Sequence, residues 1–196
     1  KEIFRILADL CNLMRPFVAD LEQSYLLLVE WDILLAKTRL AIALDAVRPS
    51  LSDSDQMNLK NARHPLLFLK LKESQKKLVP ASLSLHAKNR ILLISGPNAG
   101  GKSIILKTVG LLQCMTQAGF LVPVDKHSEF KIFKKIFADI GDHQSLDDAL
   151  STYSARLSYM RDFEAAADGE TLILLDEFGS GTEPQIGGAI AEALLQ

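Results

Sequence analysis

Residues Gly96-Pro97-Asn98-Ala99-Gly100-Gly101-Lys102-Ser103 fit the spacing G-x-x-x-x-G-K-[ST], and no other stretch restricts the fold of this chain as tightly. The apolar run Ile91-Leu92-Leu93-Ile94 in front of it predicts a buried parallel strand. Ser103 to Val109 behind it predicts a helix, giving the strand, loop and helix that the spacing requires. Glycines at 96, 100 and 101 let the backbone curl so that successive N–H groups point inward. The helix N-terminus adds the positive end of its dipole, so an anion is held without many cationic side chains. Lys102 would then reach the β- and γ-phosphates, and the Ser103 hydroxyl would ligate Mg²⁺. The expected ligands are ATP and Mg²⁺. Without those flanks the same residues would be a glycine-rich turn beside a surface lysine.

A second pattern removes most of that doubt. Thr171-Leu172-Ile173-Leu174-Leu175-Asp176-Glu177 predicts a buried strand with two carboxylates at its C-terminal edge. Ligands of open α/β sheets bind beyond the carboxyl ends of strands, so Asp176 can share the metal shell with Ser103. Glu177 points elsewhere along the strand and is the candidate general base, or the group that positions an attacking water. The pair favours nucleotide hydrolysis over simple binding. Phe178-Gly179-Ser180-Gly181-Thr182-Glu183-Pro184 follows, a tight turn at a subunit contact or a plain connection to a helix, with Pro184 suited to the helix's first turn.

The remainder divides in two. Up to about residue 46 the apolar positions step by four and three: Ile3, Leu7, Leu10, Met14, Phe17, Leu21, Leu28, Trp31, Leu35 and Ile42. This is an a/d seam, weakened by Ser24 and Thr38 and kinked or divided at Pro16. At 1.5 Å per residue it would run on the order of 70 Å, suited to a lever, although two ordinary packed helices show the same period. Arg48-Pro49-Ser50-Leu51-Ser52-Asp53-Ser54-Asp55 ends the pattern, which sets the domains at 1–48, helical, and 49–196, the nucleotide-binding domain. Further strands are expected at Gln56–Lys60, Ser82–His86 as half of a hairpin, Phe120–Val124 and within Lys131–Phe137. Lys70 to Lys77 reads as a solvated loop, Gly119 as a helix C-cap, and Asp147–Ala167 as a long helix. The fold class expected is α/β, a P-loop NTPase with a mainly parallel sheet preceded by a helical lever.

A net charge of −2 argues against broad nucleic-acid contact by these residues alone. No apolar stretch approaches the ~20 residues that cross a bilayer, so a cytoplasmic protein without membrane contact is expected. Cys11 and Cys114 stand singly in apolar helical patterns and are expected to be buried. The chain starts at Lys1 and stops at Gln196 inside a helix-like run, as a piece of a longer protein would, with its second domain cut at the C-terminus.

The phosphate loop, the buried Leu174-Leu175-Asp176-Glu177 and the following Gly179-Ser180-Gly181-Thr182 together resemble the MutS family of ABC-like ATPases. Arg63-His64-Pro65 and Ser151-Thr152-Tyr153 are similar to family marks. Ala138 to Leu146 and Gly181-Thr182-Glu183-Pro184 resemble the second bacterial MutS paralogue, linked with recombination control and ribosome rescue. The likeness is strong over residues 56–196 and loose over the helices, which would be the end of the family's core and lever helices. It implies a homodimer whose ATPase domains pair head to tail. Ser151 would face the γ-phosphate held by Lys102 of the other subunit, and Asn98 would contact phosphates in cis. Read without the resemblance, Ser151 is a helix-capping or packing residue. Ala99, Tyr153 and Glu183 depart tolerably from the family pattern, and the family's switch histidine has no counterpart up to Gln196.

The resemblance further implies that ATP closure acts on a distant nucleic-acid clamp, which binds branched or damaged DNA or ribosomal RNA. A nuclease activity would come only from a domain outside these residues. Two other classes compete. A coiled-coil scaffold ATPase of chromosome structure would carry a Leu-Ser-Gly-Gly-type signature, which is absent. A P-loop kinase would need an arginine-bearing lid, and adjacent Asp176 and Glu177 suit hydrolysis better.

Overall fold

The computed structural model describes residues 1–97, 100–140, 160–176 and residue 192. The chain forms two compact units, Lys1–Ala43 and Leu44–Gln196.

The first unit is helical throughout: α1 (Glu2–Met14), a 3₁₀ turn at Arg15–Phe17, and α2 (Val18–Ala43). Pro16 has no N–H for an α-helical bond, and the chain accommodates it by tightening one turn. Met14, Arg15 and Val18 all keep right-handed helical dihedrals, so the helix is interrupted without reversing. The seam expected along residues 1–46 holds in α1, where Ile3, Leu7, Leu10 and Met14 share a face and Glu2, Arg5 and Asp9 lie off it. It does not hold in α2. Leu26-Leu27-Leu28-Val29 and Ile33-Leu34-Leu35 ring that helix with exposed apolar side chains, so α2 has no single stripe. Ser24 and Thr38 donate their hydroxyls to the carbonyls of Asp20 (2.7 Å) and Leu34 (2.8 Å), which satisfies them within the helix itself.

In the second unit, β1 (Ser50–Leu51), β4 (Glu129–Phe130), β2 (Gln56–Ala62) and β3 (Ala81–His86) form a four-stranded sheet in that spatial order. β1 runs parallel to β4, whereas β2 runs antiparallel to both β4 and β3. A second sheet pairs β5 (Lys135–Asp139) with β6 (Thr171–Leu175) in parallel, in unbroken register from Lys135 opposite Thr171 to Asp139 opposite Leu175. The mainly parallel sheet expected from the sequence is therefore only partly present among the described residues. Helix α4 (Lys102–Gln117) packs on β6, and the core of Met57, Leu59, Val109, Leu112, Val122, Phe130, Leu172 and Leu174 joins both sheets to it.

Several local expectations change. Ile91–Ile94 is not a strand: no described strand pairs with it, and Leu93 is 84% exposed. Apolar composition suits a run to burial, but a parallel strand also needs hydrogen-bonded neighbours. The hairpin half at Ser82–His86 is real, yet it pairs backward with β2, and its turn closes on a single bridge between His86 and Asn89. Phe120–Val124 reduces to one bridge, Val47 with Val122, because Pro123 has no N–H to extend a ladder.

Lys70–Glu73 is helical rather than loop, closing α3 (Pro65–Glu73). Pro65 opens that helix at its first turn, His64 Nδ1 accepts from the Leu67 N–H (3.4 Å), and Lys70 and Lys72 sit in the last turn, where cations oppose the dipole. Cys11 and Cys114 are exposed free thiols on helix faces, not buried as expected. Gly119 (φ +71°) follows α4 in the left-handed conformation of a helix C-terminus, as the sequence indicates. Of the long helix at Asp147–Ala167, residues 160–166 are helical, Ala167 is already outside the helix, and 147–159 lie outside the described residues. No helix among them is long and apolar enough to cross a membrane.

Candidate phosphate-binding site

Helix α4 begins at Lys102, with Gly101 as its N-cap in the left-handed region (φ +81°). A side chain there would be strained, so glycine is what lets the loop turn directly into the helix. Gly96 is also at positive φ (+150°), and the Gly100 N–H donates to the Pro97 carbonyl (2.9 Å), a turn that leads into Gly101. Asn98 and Ala99 lie outside the described residues. Among the described residues no side chain caps the N-terminus of α4, and no acid stands in its first turn, so its N–H groups keep their positive field for an incoming anion. The Lys102 ammonium donates to the Gly96 carbonyl at 2.6 Å, which holds it over the loop. Ser103 follows within the first helical turn.

Asp176 comes directly after β6. Its N–H donates to the Asp139 carbonyl (2.9 Å), so β5 fixes the backbone that carries it, and its residue is only 8% exposed. What ties this carboxylate to the phosphate loop is the packing of α4 on β6. A Cβ built on Gly110 would lie 2.8 Å from Leu174 Cδ1, so the two elements meet where glycine leaves no side chain. From Gly110 back to Ser103 is about 10 Å of helix, and from Leu174 forward to Asp176 about 7 Å of strand.

The donor set fits the expected ligands. A triphosphate suits the uncapped helix end and the lysine. A hard divalent cation suits a hydroxyl and a carboxylate, since Mg²⁺ keeps several waters and takes one or two protein oxygens beside the phosphates. No group of three or more His, Cys, Asp or Glu that could cage a metal occurs among the described residues. Ser151 and Glu177, the proposed γ-phosphate sensor and general base, lie outside the described residues. Asp139 entered the sequence reading only as part of the stretch Ala138–Leu146 and was given no role in the site, although it ends a strand parallel to β6 and supplies the carbonyl that seats Asp176. The signal available was the acid at the end of an apolar run, Ile136-Phe137-Ala138-Asp139.

Arg63-His64-Pro65, the other motif singled out from sequence, stands at the start of α3. Burial, and then the positive charge of Lys107 on α4, hold the His64 imidazole below its ordinary pKa, so it is neutral at pH 7 and free to accept at Nδ1. His64 is therefore the cap of α3, in keeping with a structural reading.

Curated relatives resemble the chain along its whole length. It is 42% identical over 196 residues to the Endonuclease MutS2 of Caldicellulosiruptor saccharolyticus. It is 43% identical over 196 residues to that of Caldicellulosiruptor bescii, and 40% over 191 residues, 97% of the chain, to that of Lactiplantibacillus plantarum. The chain spans about a quarter (24%) of the length of each of these relatives. These likenesses support the second-paralogue branch suggested by residues 138–146 and 181–184. Residues 92–196, which hold the phosphate loop, α4, β5, β6 and Asp176, match the family description MutS domain V, and the chain belongs to the MutS family.

Proposed function

We propose that the chain is the ATPase portion of a MutS-type homodimer, in which Mg²⁺-dependent ATP binding and hydrolysis control the grip of a distant nucleic-acid clamp. The proposed division is a helical core and lever segment at 1–48 and a P-loop ATPase domain at 49–196. The observation that carries this reading is the packing of α4 on β6 at Gly110 and Leu174, because it joins the phosphate-loop helix to the strand that delivers Asp176. Family membership supports it, since MutS-family proteins are ATPases.

The residues divide the work. Gly96, Pro97, Asn98, Ala99, Gly100 and Gly101 wrap the phosphates with backbone N–H groups. Lys102 leaves the Gly96 carbonyl to neutralise the β- and γ-phosphates. Ser103 and Asp176 hold Mg²⁺, which when bound draws charge from the terminal phosphate oxygens. Glu177 accepts the proton of the water that attacks the γ-phosphate, and Ser151 of the second subunit donates a hydrogen bond to that phosphate, so hydrolysis waits for pairing. The nucleic-acid ligand is branched or damaged DNA, or ribosomal RNA, held by parts of the protein beyond these residues. The relatives are named endonucleases; in this reading any nuclease activity also belongs to another domain.

Released phosphate, measured on a polypeptide that continues past Gln196, tests the reading. Glu177→Gln should abolish turnover while Mg·ATP binding persists; unchanged turnover refutes the base assignment. Lys102→Ala and Ser151→Ala chains, each inactive alone, should recover activity when mixed. Failure to recover in dimers that still form counts against a shared site.

A further inference from the structure

The Arg63-His64-Pro65 motif has a task at each residue, and the task of Arg63 lies away from the phosphates. Its Nη2 donates to the carbonyls of Leu44 (3.3 Å) and Asp45 (2.8 Å), its Nη1 lies 3.8 Å from the Asp45 carboxylate, and its guanidinium carbon sits 4.4 Å from the centroid of the Phe68 ring. Lys72 Nζ completes the cluster at 3.4 Å from the Asp45 carboxylate and 5.3 Å from the same ring. Leu44 and Asp45 are the first residues after α2, and Asp45 adopts a positive φ of 48°. The Arg63 N–H is itself anchored on the Pro123 carbonyl (3.0 Å), and Val47 is bridged to Val122 by two hydrogen bonds (2.9 and 3.0 Å).

We infer that Arg63 is a positioning residue that couples the phosphate-loop helix to the exit of α2, by clamping the backbone of Leu44 and Asp45 against α3. The link to α4 runs through the segment that anchors Arg63. Val122, next to the Pro123 carbonyl that accepts from the Arg63 N–H, belongs to one buried core with Val109 and Leu112 of α4. A displacement of α4 on nucleotide binding therefore reaches the backbone that carries Arg63 and, through Val47, the turn that its guanidinium holds. Only arginine can serve here. Its planar fork reaches two carbonyls and a carboxylate at once while lying flat on a ring, which an ammonium cannot do.

The inference rests on the proposed ATPase reading, and amide hydrogen exchange of the whole chain separates the two. Without nucleotide, Arg63→Lys should speed exchange at amides 44–47 about tenfold, the loss expected when charged hydrogen bonds to a strained turn are removed. With a non-hydrolysable ATP analogue and Mg²⁺, the wild-type chain should slow exchange across residues 40–47. Arg63→Lys should bind the analogue within about threefold of wild type and lose that slowing. A purely structural role would move the unfolding midpoint but leave the nucleotide-dependent difference in place. Phe68→Leu, which removes the ring and keeps the guanidinium, should uncouple in the same way if Arg63→Lys does not fold. Retained slowing in both variants overturns the inference. If the wild-type chain binds no nucleotide, the ATPase reading fails instead, and unchanged nucleotide-free exchange at 44–47 in Arg63→Lys still overturns the clamp.

Discussion

Gly110 offers a direct test of the contact that joins the two halves of the site. Ala in place of a mid-helix glycine ordinarily gains about 1 kcal/mol of stability from backbone entropy. Here the new methyl would stand 2.8 Å from Leu174 Cδ1, nearly an ångström inside ordinary contact, and Leu174 is buried with little room to turn. Overpacking of that kind costs about 1–3 kcal/mol, so Gly110→Ala should lower stability by up to about 2 kcal/mol instead of raising it. Leu174→Ala alone should cost about 2–5 kcal/mol by opening a cavity. In the Leu174→Ala background the added methyl meets space, and Gly110→Ala should become stabilising by about 1 kcal/mol or more. The coupling in the double-mutant cycle is then about 1–3 kcal/mol. Urea unfolding followed by exchange of the α4 and β6 amides measures it. The single tryptophan, Trp31, belongs to the helical unit and would report the wrong part of the chain. Mg·ATP affinity should fall in Gly110→Ala and recover in the double variant. A Gly110→Ala effect that is the same in both backgrounds, within about 0.5 kcal/mol, refutes the close approach of α4 to β6.

Other outcomes follow from single contacts. Asp168 is held at about pKa 2, first by its hydrogen bond from Lys135 (2.9 Å), then by those from Thr171 (2.8 Å) and the Glu170 N–H (2.9 Å). A lowered carboxylate pKa stabilises the fold above the unfolded value of 3.8 and loses that effect as pH falls toward 2, so Asp168→Asn should flatten the acid limb of the stability curve between pH 4 and 2 in urea titrations. Gly101→Ala places a side chain at φ +81° and should cost about 1–2 kcal/mol while weakening Mg·ATP binding; unchanged affinity by fluorescent-nucleotide titration would contradict the loop geometry. Gln117 exchanges two hydrogen bonds with the Phe133 backbone (3.0 and 3.1 Å) and accepts from Gln113 (2.7 Å), tying α4 to the approach of β5. Gln117→Leu strands the Phe133 N–H and leaves the buried Gln113 amide with only its bond to the Lys131 carbonyl (2.8 Å), and its thermal midpoint should drop by several degrees.

What could be read from sequence was what depends on residues close together in the chain. The turn at Gly101, a helix beginning within a residue of Ser103, the left-handed Gly119 and the strand Thr171–Leu175 all follow from local pattern, since one run of residues carries each signal. The misreading of Lys70–Glu73 was avoidable on the same terms. Pro65 interrupts a strand, but it equally begins a helix, and His64 before it can cap. Ile91–Ile94 is a different case. Its composition is right for a central strand, while pairing depends on partners far away in sequence that its own residues do not name.

The same distinction explains why the residues that join elements escaped notice. Gly110 has no marked neighbour in sequence, and its importance lies in Leu174, which comes from a strand 64 residues later. Arg63 was noticed as part of a motif, yet its partners Leu44, Asp45 and Phe68 belong to a helix exit and a helix face that the motif does not specify. Both are places where backbone or ring comes too close for another side chain to serve. Substitution there should change how elements move together more than whether each forms. In the proposed ATPase reading such contacts are required, because a loop that bound ATP without displacing α4 against β6 would have no means of acting on the rest of the chain.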